Sequence, residues 1–225
     1  MYQADSRLIQ DGDTFFALPG AKTDGHTFLE EVAKKGAKIA YVKDDVPSFG
    51  MQLIKVPDPL LALQNLAREK VKSFKGKIVA VTGSVGKTTT KEFIAQLLST
   101  KYKVASSKKS QNTKITLPLT ILNDLQGDED FLVLEMGMTH PGDIGKLVSI
   151  APPDIAVLTQ VTFVHAINFS SYEEIYKNKS EIFSSPRTQV KIRMENLKPY
   201  EGSFHLPGDH NRMNLAAAIE ACKAC

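Results

Sequence analysis

The stretch from Lys77 to Thr90 reads Lys-Ile-Val-Ala-Val-Thr-Gly-Ser-Val-Gly-Lys-Thr-Thr-Thr: an apolar run, a turn holding Gly83 and Gly86, and Lys87-Thr88 opening a helical pattern. A strand that ends in such a turn leaves backbone N–H groups pointing outward at the positive end of the next helix, which is a seat for an anionic polyphosphate. The two glycines permit the backbone angles and the close approach. Ser84 and Val85 fill the turn, and Thr89 continues the first helical turn. Lys87 is expected to reach the β- and γ-phosphates of a nucleotide, and the Thr88 hydroxyl to ligate Mg²⁺. Val81 stands where the commoner phosphate-loop pattern carries its first glycine. The plainer alternative is a strand-turn-helix connection that exposes a solvated lysine.

Three more side chains have chemistry to offer. Glu135 follows the apolar run Phe131-Leu132-Val133-Leu134. In an alternating strand-helix chain it emerges at the same sheet edge as Lys87, where a carboxylate holds or bridges Mg²⁺. His165 lies past another buried run, Asp154 to Gln160, on a loop at that edge. Lys179 shares the spacing of Tyr172, Ile175, Tyr176, Ile182 and Phe183, the apolar face of one helix, while Glu173, Glu174, Lys177 and Glu181 lie off it. A lysine there either snorkels to water or is buried with a lowered pKa, and a neutral amine can take up CO₂ as a carbamate able to bind Mg²⁺. Near the end, Asp209 is placed to cap an alanine-rich helix, on which Asn211 and Asn214 share a face and offer amides to a base or a ribose.

These groups need a scaffold, and the chain has length for one. Its 225 residues are 42% hydrophobic and 24% charged, with a net charge of +3. That balance argues against a nucleic-acid-coating protein. The absence of an apolar run of bilayer length and of a signal-like N-terminus argues for a cytoplasmic protein without membrane insertion. Residues 1 to about 56 alternate apolar runs with turns, giving strand, helix, strand over Thr14 to Leu18, Phe28 to Lys35 and Lys38 to Val42. After the break Pro57-Asp58-Pro59 comes an amphipathic helix over Leu60 to Arg68, leading to a hinge at Ser73 to Gly76. Two domains follow: a small α/β domain over 1–74, and a second over 75–225 in which strands alternate with helices around a mostly parallel sheet. Arg7 of Asp5-Ser6-Arg7 can fork onto a phosphate, whereas Asp24-Gly25-His26 reads first as a turn and helix cap. Cys222 and Cys225 are half of a zinc motif and read as packing.

Taken together, Thr-Gly-Ser-Val-Gly-Lys-Thr-Thr-Thr-Lys-Glu at 82–92, Leu-Glu-Met-Gly at 134–137, His165 ahead of Lys179-Ser-Glu-Ile-Phe, and Leu-Pro-Gly-Asp-His-Asn-Arg-Met-Asn at 206–214 resemble the Mur ligases. Gln111 to Leu122 and Met138 to Ile144 resemble most closely the MurF type, the ligase that joins D-alanyl-D-alanine to UDP-N-acetylmuramoyl-tripeptide in peptidoglycan synthesis. The resemblance implies ATP and Mg²⁺ as cofactors and a monomer that binds no nucleic acid. It implies one ion on Thr88 and Glu135, a second on His165 and carbamylated Lys179, and His210, Asn211 and Asn214 beside the adenosine. Ser6, Arg7, Asp24, His26 and Asn112 would meet the UDP-sugar peptide. The family's asparagine- and glycine-rich turn keeps Asn112 but shows Thr113, Lys114 and Thr116, and the stretch between Phe183 and Leu206 is shorter than the family pattern. A third domain of about 100–150 residues is implied after the Asn214 helix, so weak ligation is expected of these residues alone. The competing readings are a sibling Mur ligase, a folylpolyglutamate synthase-like ligase, and a nucleotide-binding module without ligation.

Overall fold

A computed structural model describes residues 1–20, 23–108, 110–163 and 168–225. The first sheet is built from β1 (Tyr2–Gln3), β2 (Thr14–Phe16), β3 (Ile39–Val42) and β4 (Gln52–Lys55), hydrogen-bonded in that order and all parallel. The expected helix after β2 is a 3₁₀ turn over Gly25–Phe28 followed by α1 (Leu29–Lys34). Asp24 caps that turn, as its sequence context indicated, by accepting the His26 N–H. Strands β1 and β4 escaped the sequence reading: β1 has only two residues, and none of the four residues of β4 is buried.

Helix α2 (Pro59–Ser73) is capped by Asp58, whose carboxylate accepts the Leu60 and Leu61 N–H groups, with proline at the first turn where no N–H is needed. It joins the two halves. Its buried Leu63, Ala67 and Val71 lie in one apolar core with Phe16 of β2 and with Leu117, Ile121 and Leu147 of the second half. Phe16 stacks on Tyr41 at 4.5 Å, and the Asn123 amide exchanges hydrogen bonds with the backbone of Tyr2 at 2.8 and 2.9 Å.

The second sheet contains β5 (Lys77–Thr82), β6 (Val104–Ser106), β7 (Phe131–Glu135), β8 (Ile155–Leu158) and β9 (Val190–Arg193), all parallel in the order β6-β7-β5-β8-β9. Successive residues of β5 enter opposite cores: Ile78 and Ala80 face α2, α4 (Thr116–Asp124) and α5 (Asp143–Ile150), while Val79 and Val81 face α3 (Lys87–Leu98) and α7 (Asp209–Lys223). Both faces are covered, as a parallel sheet requires. The connections leave β5 toward β6 on one side and reach β8 on the other, so the carboxyl end of β5 is a switch point where ligands bind in open α/β sheets.

Two sequence expectations change. The helix expected through Phe183 is α6 (Tyr172–Lys179), which tightens into a 3₁₀ turn over Ser180–Phe183 that turns Ile182 and Phe183 into the core. Asp209 is not the cap of α7 but its first residue; Gly208, at φ +94°, precedes it and accepts the Asn211 N–H through its carbonyl. The short segment after Phe183 is ordered by Asp154: its carboxylate takes the Arg187 guanidinium at 2.8 and 3.0 Å, and its carbonyl accepts the N–H groups of Gln189 and Val190 ahead of β9.

Candidate active site

The cradle follows β5. Gly83 is pressed against Thr159 and Gly86 against the Asn214 amide, so a Cβ at either position would collide with a side chain. The N–H groups of Ser84 and Val85 turn to the carbonyl of Gln160, at 2.8 and 3.2 Å, and the Ser84 hydroxyl bonds Thr162. This corrects the expectation of outward donors there, because a partner from beyond β8 claims them. The N–H groups that remain available for an anion are those of the first turn of α3 at Lys87, Thr88 and Thr89, which have no partner within the helix.

Glu135 shares the parity of Phe131 and Val133, so its side chain emerges on the α3 face of β7. There Thr88 Oγ1 donates to Oε2 at 2.7 Å, and the Asn112 amide donates to Oε1 at 2.6 Å. Glu135 is 1% exposed, and these hydrogen-bond partners are neutral. A hydroxyl and a carboxylate form the hard-oxygen donor set that Mg²⁺ takes, and a buried carboxylate with neutral partners gains from such a cation. Lys87 is near enough to Glu135 to feel its charge; burial lowers the lysine pKa and the carboxylate partly restores it.

Lys179 is 2% exposed, and its Nζ donates to the Gly83 carbonyl at 2.9 Å. Burial first, and then repulsion from Lys87, lowers its pKa to about 8. The two lysines line one cleft of about 530 Å³ with Asn112 and the loop Gly137 to Asp143. Asp143 fixes that loop by accepting the Thr139 and His140 N–H groups at 3.0 and 2.8 Å. His165 lies outside the described residues.

A second cleft, of about 450 Å³, opens on the other side of the cradle and brings together Val85, His210, Met213 and Asn214. Tyr176 and Arg193 form its far wall; the guanidinium donates to the Tyr176 hydroxyl at 2.8 Å and lies 4.5 Å from the centre of the Phe183 ring. Asn211 is not among the lining residues, and its amide donates to Pro207.

The Arg7 guanidinium forks onto Asp5 at 2.9 and 2.6 Å and is otherwise open to water, and Ser6 is buried. Both nitrogens of His26 are in use: Nδ1 faces Asp24 at 2.7 Å, and Nε2 accepts the Lys43 N–H at 2.9 Å. The N–H and ring of His26 hold the Asp24 carboxyl below the usual range. Cys222 packs on α3 with its thiol facing the Ile94 carbonyl, and burial pushes its pKa up to about 11. Site-lining residues that the sequence reading did not single out include His140 and Arg193. The loop holding His140 was noticed only as a stretch of resemblance.

The Mur ligase middle domain model matches residues 81–196, and the model described as Mur ligase family, catalytic domain matches residues 1–71. The chain belongs to the Mur ligase family. This Mur ligase chain is 36% identical over 184 residues to the UDP-N-acetylmuramoyl-tripeptide–D-alanyl-D-alanine ligase of Rickettsia prowazekii, covering 81% of this chain and 40% of that protein. The same ligase of Bacillus subtilis is 36% identical over 182 residues, covering 80% and 40%. The crystal structure of MurF ligase from Thermotoga maritima in complex with ADP is 38% identical with a TM-score of 0.77, covering 87% of this chain and 45% of that one. The chain thus spans about two fifths of the length of these curated Mur ligase relatives. No helix among its described residues is long and apolar enough to cross a membrane.

Proposed function

We propose that these residues form the nucleotide-handling part of a cytoplasmic, ATP-dependent ligase that joins D-alanyl-D-alanine to UDP-N-acetylmuramoyl-tripeptide for peptidoglycan synthesis. One observation carries the reading: Lys87 from the cradle and the buried Lys179 line a single cleft, with the Thr88–Glu135–Asn112 cluster beside Lys87. Curated relatives that carry out this ligation support it.

On this reading the adenosine of ATP occupies the cleft of Val85, His210 and Asn214, and its phosphates meet the first turn of α3. A carboxylate oxygen of the tripeptide attacks the γ-phosphorus, the bond to the bridging oxygen breaks, and ADP leaves an acyl phosphate. Lys87 neutralises charge on the transferring group. The dipeptide amine then attacks the acyl carbon, loses a proton to solvent, and expels phosphate. Thr88 and Glu135 would hold Mg²⁺, which supplies charge neutralisation when bound. The Lys179 amine, neutral above its lowered pKa, adds to CO₂ by forming an N–C bond and releasing a proton; the resulting carbamate and His165 would hold a second ion.

Calorimetric titration of the 225-residue chain with ADP and with UDP-N-acetylmuramoyl-tripeptide tests this proposal. Both are expected to bind, Lys87→Ala is expected to weaken ADP binding about tenfold or more, and turnover stimulated by D-alanyl-D-alanine is expected to be slow. ADP binding that ignores Lys87→Ala overturns the reading.

A further inference from the structure

Lys91 lies one turn beyond Lys87 on α3 and is fully buried, yet none of the steps above uses it. Its Nζ donates to the Ser107 carbonyl and pairs with the Glu92 carboxylate, whose Oε1 is 2.6 Å away. Taking an ammonium out of water is costly even when it is paired, and an apolar side chain of similar volume fills such a space without that cost. What the cation secures is the point at which the chain leaves β6.

β6 lies at the edge of the second sheet with β7 beside it. Ser107, the residue after β6, is buried and held through three groups. Its N–H donates to the Val133 carbonyl at 3.1 Å, its hydroxyl accepts the Glu135 N–H at 3.3 Å, and its carbonyl takes Lys91. Three residues on, the Ser110 hydroxyl is 3.5 Å from Thr88 Oγ1. Two residues further, the Asn112 amide donates to Glu135 Oε1 at 2.6 Å, and its carbonyl accepts the Gly137 N–H at 2.8 Å. Ser107, Ser110 and Asn112 thus touch Thr88 and Glu135, the pair assigned to Mg²⁺, and Lys91 ties the root of their segment to the helix that carries Thr88.

We propose that Lys91 is a positioning residue for the metal cluster: by holding the Ser107 carbonyl to α3, it keeps Asn112 and the Glu135 carboxylate in register with Thr88. The inference rests on the nucleotide reading above and deepens it. Lys87 meets the phosphates directly, whereas Lys91, one turn away, acts through the backbone of Ser107.

Calorimetric titration of the chain with ADP, in the presence and absence of Mg²⁺, tests this. Lys91→Met keeps the length and the apolar stem of the side chain but has no donor. It is expected to lower the Mg²⁺-dependent gain in ADP affinity about tenfold and to leave ADP binding without Mg²⁺ within about twofold. Asn112→Ala is expected to lose the gain to a similar degree, and Lys91→Met added to it to cost less than about twofold more, since both changes act on one segment. A gain that Lys91→Met leaves intact overturns the proposal and spares the nucleotide reading, as do losses that multiply in the double variant. Should Lys91→Met fail to fold, the shorter, neutral Lys91→Gln replaces it; failure of both makes Lys91 a residue of the fold alone and also overturns the proposal. A wild type whose ADP affinity ignores Mg²⁺ overturns the metal reading along with it.

Discussion

The side-chain amide of Asn214, on α7, occupies the space into which a Cβ on Gly86 would project. Gly86 is the N-cap of α3 at φ +84°, so any other residue there faces both backbone strain and a collision. Gly86→Ala is expected to destabilise the chain by about 2 kcal/mol, read as a lowered melting temperature. Adding Asn214→Ala relieves the collision, so the double variant should lose less than the two single losses combined. Strict additivity would show that the two residues do not meet.

Glu135→Gln separates charge from shape. Glutamine can accept from Asn112 with its oxygen and donate to Thr88 with its nitrogen, so the melting temperature should hold to within a few degrees. The Mg²⁺-dependent gain in ADP affinity should fall at least about tenfold, because a neutral amide replaces the anionic ligand. Titrations with and without Mg²⁺ decide this, and an intact Mg²⁺ effect removes Glu135 from the metal site.

Lys179 makes stability depend on pH. The folded chain releases this proton near pH 8, whereas the unfolded lysine keeps it to about pH 10.4. Between those values the unfolded state binds more protons, so stability rises with pH. In CO₂-free buffer the wild type should gain about 2 kcal/mol over Lys179→Met between about pH 7.5 and about pH 9.5. With ¹³C-bicarbonate, a carbamate carbon signal present in the wild type and absent from the variant would identify the modified amine. Parallel pH profiles for the two proteins would mean that Lys179 titrates as a solvated lysine.

Asp154 ties three segments together. Its carboxylate accepts the Ile78 N–H at the start of β5 as well as the Arg187 guanidinium, and its carbonyl receives the chain that enters β9. Asp154→Ala leaves the Ile78 donor and a half-buried guanidinium without their acceptor and should cost about 2–4 kcal/mol. Arg187→Lys keeps the charge but loses the fork, and a smaller loss is expected. Chemical denaturation ranks the two.

What the sequence revealed follows from how local each signal is. The place of Lys179 on an apolar helix face was legible because spacings of three and four fix a face, but its burial was not, since a lysine there snorkels to water by default and only the fold closes over it; the meeting of Thr88 with Glu135 was legible because adjacent parallel strands bring both to one edge. The fate of the Ser84 and Val85 N–H groups was not, since their acceptor, Gln160, lies just past β8, far along the chain. The fork of Arg7 onto Asp5, two residues before it, was not read from the sequence either. β9 is an edge strand with one buried residue, Ile192, too little for a pattern.

Phe16 of the first sheet and Leu134 of the second contribute to one continuous apolar core through α2. Pulling the halves apart would wet that core, so the molecule should melt as a single calorimetric event, and UDP or ADP should raise the same peak. On the proposed reading, the span between the seats for ATP and for the UDP-linked substrate is then fixed like the jaws of a gauge. A substrate too short to bridge them could be gripped at one end without ever presenting the other.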